Sequence, residues 1–503
     1  MTADTVPPGG YPRKWTAFAG MAAGQFISVA DMSAVGVALP TLAGDLDLPL
    51  PLASWVALTA TLTISAVLLP TGGLSDVLGR KRTFVAGTVL FALGAIGCAA
   101  APGLLLLLLA RVVQSVGSAI ISINGFSIVA VAFPPGERGK GVGALTTTVG
   151  LGGITGPVAG GALAGAFGWR SVFLMLAAGG AVSALLALLL LESRRFAPER
   201  GRSIRGFDWT GAFVSAAALT LLILAMNSGA RMGWTSPLIL SAWIAGACLF
   251  AAFVLWELRT RRPTLDVRMF LDAGFRWASI TRYTGFIAQG TVRFLMPFYL
   301  QDVLEYPPGR VGLAMLPVSL GMAVFSSVSG RLSDRFGVRP FMIAGLAMVV
   351  ASSAVFSTLG RQSSLYLIMP VLFLNGSGLG LWDAPNAARA ISAVRTSAYS
   401  SGSAVVNLVR NAGNATSVAL ASAVVSGVVL ARGFEPDLSL IPDEPTGGMA
   451  RAFLAGARYA YLIPAAVGLI ALLAALKTRT PQTPPPAPRS PAGRPTRTPS
   501  GRE

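Results

Sequence analysis

The sequence predicts an all-α polytopic membrane protein of fourteen spans, arranged as two similar six-helix bundles with two extra helices between them. Three observations lead there. Of the 503 residues, 53% are hydrophobic and only 12% charged, with a mean hydropathy of +0.66; soluble domains carry about twice that charged fraction. Many separate windows of roughly 20 apolar residues are each long enough to cross ~30 Å of hydrocarbon. One segment near residue 72 also recurs near residue 330.

With Gly, Pro and charge clusters as punctuation, six spans are expected first, near 15–40, 52–72, 83–101, 103–132, 140–166 and 170–191. The Arg80–Arg82 cluster, Pro102-Gly103, Pro134-Pro135-Gly136 and Gly168 separate them. Two more, near 208–227 and 236–257, follow an arginine-rich stretch. The last six lie near 276–301, 310–330, 340–360, 364–388, 397–431 and 453–476. The implied units are an N-terminal tail (1–14), a first bundle (15–193), a linker carrying the extra helices (194–270), a second bundle (271–478) and a tail (479–503). Residues 481–503 hold eight prolines and cannot bury a core, so they read as a disordered cytoplasmic extension. The acids of the 432–452 connection (Glu435, Asp437, Asp443 and Glu444) read as a solvated loop. The first apolar run continues past Leu39, too long for a cleavable signal.

The net charge of +18 tempts a nucleic-acid reading, but the basic residues fall in short runs between apolar segments. With both termini cytoplasmic, the inner segments hold 28 Lys/Arg and the outer loops seven. That bias supports a multi-pass protein of the cell membrane, in contact with lipid and not with nucleic acid. Histidine is absent and the two cysteines, Cys98 and Cys248, fall in spans, so neither a disulfide nor a metal site is indicated. No P-loop occurs and no loop is long enough for a catalytic domain. The expectation is therefore no enzyme, no cofactor and no ATP.

The repeat pairs GGLSDVLGRKRTFVAG (72–87) with GRLSDRFGVRPFMIAG (330–345), an offset of 258 residues. Both copies are expected as inner loops between spans, their glycines making tight turns and their Asp capping a helix start or pairing with an arginine. At Gly72, Leu74, Asp76, Gly79, Arg80 and Lys81, and again at Gly330, Asp334 and Gly337, the chain resembles the major facilitator superfamily. ARVVQSVGSA, with Arg111, Gln114 and Gly117, is similar to that family's fourth-helix motif. GLGGITGPVAGGALAG resembles its antiporter motif, at Gly152, Gly156, Pro157, Gly160 and Gly161. Glycines every four residues leave one smooth face for close packing, and Pro157 allows a bend.

DMSAVGVALP (31–40) resembles the first-helix signature of the fourteen-helix drug:proton antiporter branch, with Ser33, Ala34 and Gly36 as departures. Trp55 matches that branch's second helix, where Thr61 replaces a tyrosine. FYLQDVL (298–304) and VVNLVRNAG (405–413) are similar to its segments after helix 9 and in helix 13. The resemblance implies two bundles rocking about a midplane site, latched by the repeated loops, and export of small amphipathic compounds or drugs in exchange for protons. Lipid-like or anionic cargo, or uptake by symport, stays an alternative. A monomer is expected.

Charges inside the spans are the candidate site, because each costs about 2.5–3.5 kcal/mol by insertion scales. Asp31 and Arg111 each lie eight residues, roughly 12 Å, below the expected outer ends of their helices, so they can pair. Burial raises a carboxylate's pKa and a neighbouring guanidinium lowers it. Asp31 with Arg111 therefore reads either as a proton-coupling pair or as a permanent tie between two helices. Gln289, the offset partner of Asp31, lies one turn from Arg293. Asp383, with Asn386 nearby, reads as a second proton or cation site or as a partner for Arg410 or Arg389. Gln289, Arg293, Asp383, Asn386, Asn407 and Arg410 are the cavity candidates.

The topology is checked with one cysteine at Ser490 on a background lacking Cys98 and Cys248. Impermeant maleimide is expected to label it in inverted vesicles and not in intact cells.

Overall fold

The structure, a computed structural model, describes residues 13–133, 138–192, 208–260, 267–392, 399–436 and 447–477. The N-terminal tail up to residue 12, the arginine-rich stretch from 194 to 205, the loop acids Asp437, Asp443 and Glu444 and the proline-rich tail lie outside the described residues.

Fourteen long helices follow one another, with no strand among the described residues. The first six are α1 (Lys14–Asp45), α2 (Leu50–Leu78), α3 (Arg80–Ala100), α4 (Leu104–Ala132), α5 (Arg138–Phe167) and α6 (Trp169–Leu190). Then come α7 (Trp209–Met232) and α8 (Pro237–Arg259). The last six are α9 (Ala273–Phe298), α10 (Pro308–Phe336), α11 (Val338–Phe356), α12 (Leu365–Ser392), α13 (Tyr399–Ala431) and α14 (Gly448–Lys477). Twelve are long and apolar enough to cross a membrane. The other two are α7, whose apolar core is the shorter Phe213–Met226, and α9, interrupted by Arg276, Arg282 and Arg293.

The helices are apolar outside and partly polar inside. On α4, Leu105, Leu106, Leu109, Val112 and Val113 are exposed, whereas Arg111, Gln114, Ser115 and Ser118 are buried. Hydrocarbon cannot hydrogen-bond, so polar groups turn inward where partners exist. α1 to α6 pack into one bundle and α9 to α14 into a second.

The repeated segments are not loops. α2 continues through Gly72 and Asp76 to Leu78, and α3 begins at Arg80. The break is a single residue, Gly79, at φ 92°. Gly337 is the equivalent break between α10 and α11, at φ 81°. Both backbones occupy the positive-φ region that a side chain opposes, which is the physical need for glycine there. Asp76 and Asp334 therefore sit inside the last turns of α2 and α10 rather than capping a helix start; their side chains lie outside the described residues. Lys81 donates to the Leu188 carbonyl at 2.8 Å, satisfying the C-terminal end of α6. α1 also departs from expectation, running through Pro40 to Asp45, because a helix flanked by others tolerates a proline's missing bond.

Of the two extra helices, α7 packs against both bundles. Ile223 and Met226 of α7 pack with Trp55, Leu58 and Leu62 of α2 and with Ala415, Val418 and Ala419 of α13. α7 thus covers a seam between the two bundles, and α8 lies against α7.

The bundles meet from mid-molecule to the end opposite the chain termini, here called the distal end. Ser319 Oγ of α10 donates to the Gly153 carbonyl of α5 at 2.7 Å. Thr41 Oγ1 donates to Gln301 Oε1 at 2.9 Å, and Gln301 Nε2 donates to the Val37 carbonyl at 2.7 Å. The Leu50 amide reaches the Pro436 carbonyl at 2.8 Å. α5 lies between α1 and α10. A Cβ on Gly156 would meet Ser33 and Ala30, and one on Gly160 would meet Ala34. A Cβ on Gly161 would meet the Pro308 carbonyl, and one on Gly312 the Pro157 carbonyl. The helices touch backbone to backbone.

Gly161→Leu is expected to hold the distal end open, because neither backbone can yield. A cysteine at Val37 should then become reactive to impermeant maleimide; unchanged protection would remove this contact as the distal seal.

Candidate functional site

The first bundle contains a polar seam between α1 and α4. Gln25, Ser28 and Asp31 recur every three residues on α1 and are all buried. Gln25 Nε2 donates to the Ile121 carbonyl at 2.6 Å, and the Ser28 and Ser118 hydroxyls lie 2.5 Å apart. At the distal end of the seam Arg111 Nη1 donates to Asp31 Oδ1 at 2.8 Å and to Gln114 Oε1 at 2.9 Å. Gln114 Nε2 closes the triangle onto Asp31 Oδ1 at 3.2 Å. The Asp31 and Arg111 side chains are each only 2% exposed.

The triangle is walled by α3 and α6. The Phe173 ring centroid stands 5.7 Å from the Arg111 guanidinium carbon, and Cys98 Sγ lies 3.6 Å from Gln114 Oε1. Arg111 Nε has no hydrogen-bond partner among the described residues. In this conformation the pair is closed to solvent and to any molecule between the bundles. Water and lipid offer no alternative partner here, so pairing is what makes both charges tolerable.

The second bundle holds a cross-helix pair of reversed polarity. Arg282 Nη1 of α9 lies 2.5 Å from Asp383 Oδ1 of α12. Arg282 Nε donates to the Val406 carbonyl of α13 at 2.9 Å, and the guanidinium stands 5.2 Å from the centre of the Phe286 ring. Asp383 is therefore the partner of Arg282, not of Arg410 or Arg389. Each member lies nine residues from the terminus-side end of its helix, so the two helices bring them to one level. Asp383 is 25% exposed, unlike the sealed Asp31.

The remaining cavity candidates separate. Asn386 is buried between α12 and α9, donating to the Ala278 carbonyl at 3.1 Å with its Oδ1 unpartnered. Asn407 is half-buried on α13. Gln289 is buried and its Nε2 has no hydrogen-bond partner among the described residues. Arg293 and Arg410 are half-buried. The glycine-proline motif of α5 does not join this cluster, and forms the α1–α5–α10 contact described above.

Two groups escaped the sequence reading of the site. Gln114 stands three residues from Arg111 in the fourth-helix motif, a spacing that makes the two neighbours on α4, but only the packing of α1 against α4 brings it to Asp31. Gln301 stands in the segment after the ninth span, but its bonds to Thr41 and Val37 join helices 260 residues apart.

The profile of the Major Facilitator Superfamily matches residues 21–418. The chain belongs to the major facilitator superfamily. Among curated members it is 28% identical over 461 residues to riboflavin transporter RibZ of Clostridioides difficile, covering 92% of this chain and 96% of that one. It is 32% identical over 423 residues to multidrug resistance protein Stp of Mycobacterium tuberculosis, covering 84% and 77%. The fold is similar to that of a bacterial homologue of the human lysosomal transporter Spinster, solved inward-facing and unoccupied. That match has a TM-score of 0.68 at 18% identity and covers 94% of this chain and 99% of the other. As a major facilitator protein the chain is a multi-pass membrane transporter. Its two bundles carry a sealed acid–base triangle in one and a partly open, arginine-rich face in the other.

Arg111→Ala leaves a buried carboxylate with only Gln114 as donor, and is expected to cost about 3–5 kcal/mol. Asp31→Ala/Arg111→Ala should recover part of that loss. Thermal unfolding in detergent measures both.

Proposed function

We propose that this transporter exports small amphipathic compounds across the cell membrane in exchange for protons, by alternating access between its two bundles. The observation that carries the proposal is the Asp31–Arg111–Gln114 triangle: a carboxylate buried in the bundle interior, held by one guanidinium and one amide. In a chain without histidine, a carboxylate is the natural group to load and release a proton. Protonation removes the charge that compensates Arg111. The interior then favours an arrangement in which α4 offers the guanidinium another partner, and α1 is free to shift against it.

The coupling to movement runs through α5, which touches α1 on one side and α10 on the other. A shift of α1 therefore bears on the seal between the bundles. Closure at the distal end, with the basic segments at the other end, corresponds to an inward-facing state with both termini cytoplasmic. The Gln301 bonds to α1 act as the outer latch of that state. The names of the relatives, a multidrug resistance protein and a riboflavin transporter, support a cargo that is small and amphipathic. The energy source is an ion gradient; ATP and cofactors have no part in the proposal, and a single chain is sufficient for it.

Proteoliposomes with an imposed pH gradient test this reading. Asp31→Asn keeps an oxygen acceptor for Arg111 and Gln114, so it should fold and still bind cargo. It is expected to lose pH-driven accumulation. Undiminished pH-driven transport by this variant would end Asp31's role as proton carrier.

A further inference from the structure

The second bundle carries more positive charge than it neutralises. Arg282 is paired with Asp383. Arg293 has no ion-pair or hydrogen-bond partner among the described residues, and Arg410 reaches only the neutral Asn411 Oδ1, at 3.5 Å. Arg282, Asp383 and Arg293 all act electrostatically on Arg410, so the three guanidinium groups share one field. In the interior of the first bundle, among the described residues, Arg111 is matched by Asp31.

These groups also share a face. Arg282, Phe286, Gln289 and Arg293 follow one another at helical spacing along α9. On α13, Arg410, Asn414 and Ser417 do the same, and Ser417 lies against Gly290 of α9. Arg282 meets the Val406 carbonyl one turn below Arg410. Arg410 therefore falls between the levels of Arg282 and Gly290. Beside Arg293, one turn away on its own helix, is the buried Gln289 amide, whose Nε2 donor is unused. The face thus sets three guanidinium groups against one carboxylate, Asp383, and adds a spare amide donor.

An unpaired charge within the membrane is costly, and a buried donor without a partner adds to that cost. One kind of ligand relieves both: an oxyanion, whose oxygens accept from a planar guanidinium fork in a bidentate manner. We propose that the face formed by Arg293, Gln289 and Arg410 binds the acidic group, a carboxylate, sulfonate or phosphate, of an amphiphilic anion. This rests on the transport reading above and names the charge class of its cargo. The apolar part of such a molecule would lie between the two bundles, while Asp383, paired with Arg282, leaves Arg293 and Arg410 to the anion.

The test is binding to the purified full-length protein in neutral detergent, which needs no proton gradient. Carboxyfluorescein serves as the anionic probe and ethidium as the cationic one. Carboxyfluorescein is expected to bind the unaltered protein more tightly than ethidium. Arg293→Gln and Arg410→Gln should each weaken it about tenfold or more, the loss of one charge-assisted contact. Arg293→Lys, which keeps the charge but loses the planar fork, should weaken binding less than Arg293→Gln does, and monodisperse elution of every variant controls for folding. Competition by phosphatidylglycerol would support the site and assign its oxyanion to a lipid headgroup; displacement by free aromatic carboxylates alone would support it for soluble cargo. Ethidium binding more tightly, no binding of carboxyfluorescein, or equal affinity in the Arg→Gln variants would each overturn the proposal. Loss of pH-driven transport with anion binding intact would instead strike only the proton-exchange reading.

Discussion

Hydrocarbon neither solvates a charge nor completes a hydrogen bond, and the arrangement of this molecule follows from that constraint. Each backbone polar group must be satisfied within its own segment, which leaves helices as the only spanning form here. Side-chain charges must find one another inside. Asp31 and Arg111 do so with Gln114 as a third member, and Arg282 and Asp383 do so across the equivalent helices of the other bundle. The two pairs have opposite polarity and different depth. That difference gives the pseudo-symmetric halves unlike interiors, one sealed and neutral, the other partly open and positive.

The contact between the halves rests on a different property, the absence of side chains. Gly156 and Gly160 bring α5 against α1, and Gly161 and Gly312 bring it against α10, at distances where only backbone fits. Such packing gains dispersion and weak polar contacts over a long stretch without committing a large side chain to either partner. Two smooth faces can separate and meet again. The hydrogen bonds of Gln301 and Ser319 add only a few directional contacts to that surface.

The two helices beyond the paired bundles join this interface. α7 lies over the seam of α2 and α13 through small and branched residues such as Leu58, Ile223, Ala415 and Ala419. It screens that seam from lipid, whereas the α5–α10 contact on the other flank relies on its own glycines. The two flanks of the interface between the bundles are thus closed by unlike means. A motion that rocks the bundles must slide across α7 on one side and part the glycine faces on the other.

Much of the fold was legible along the chain because the determining rule is local. A span needs roughly 20 apolar residues, so the number and order of the helices could be counted, and the recurrence of Gly79 at Gly337 marked the two halves. The pairing of Asp31 with Arg111 was within reach because both could be placed by depth alone. Depth was insufficient for Asp383, whose level and rotational phase are shared by several arginines with long side chains. Packing of α9 against α12 selected Arg282. The same holds for Gln114, for the Gln25 and Ser28 seam and for the Gln301 latch, whose partners lie far away in sequence. By itself the sequence determined the helices, the halves and the need to shelter a few charges, since hydropathy acts residue by residue. Only the tertiary structure decided which charges meet and which remain unmatched, because the rotation of each helix is set by its neighbours.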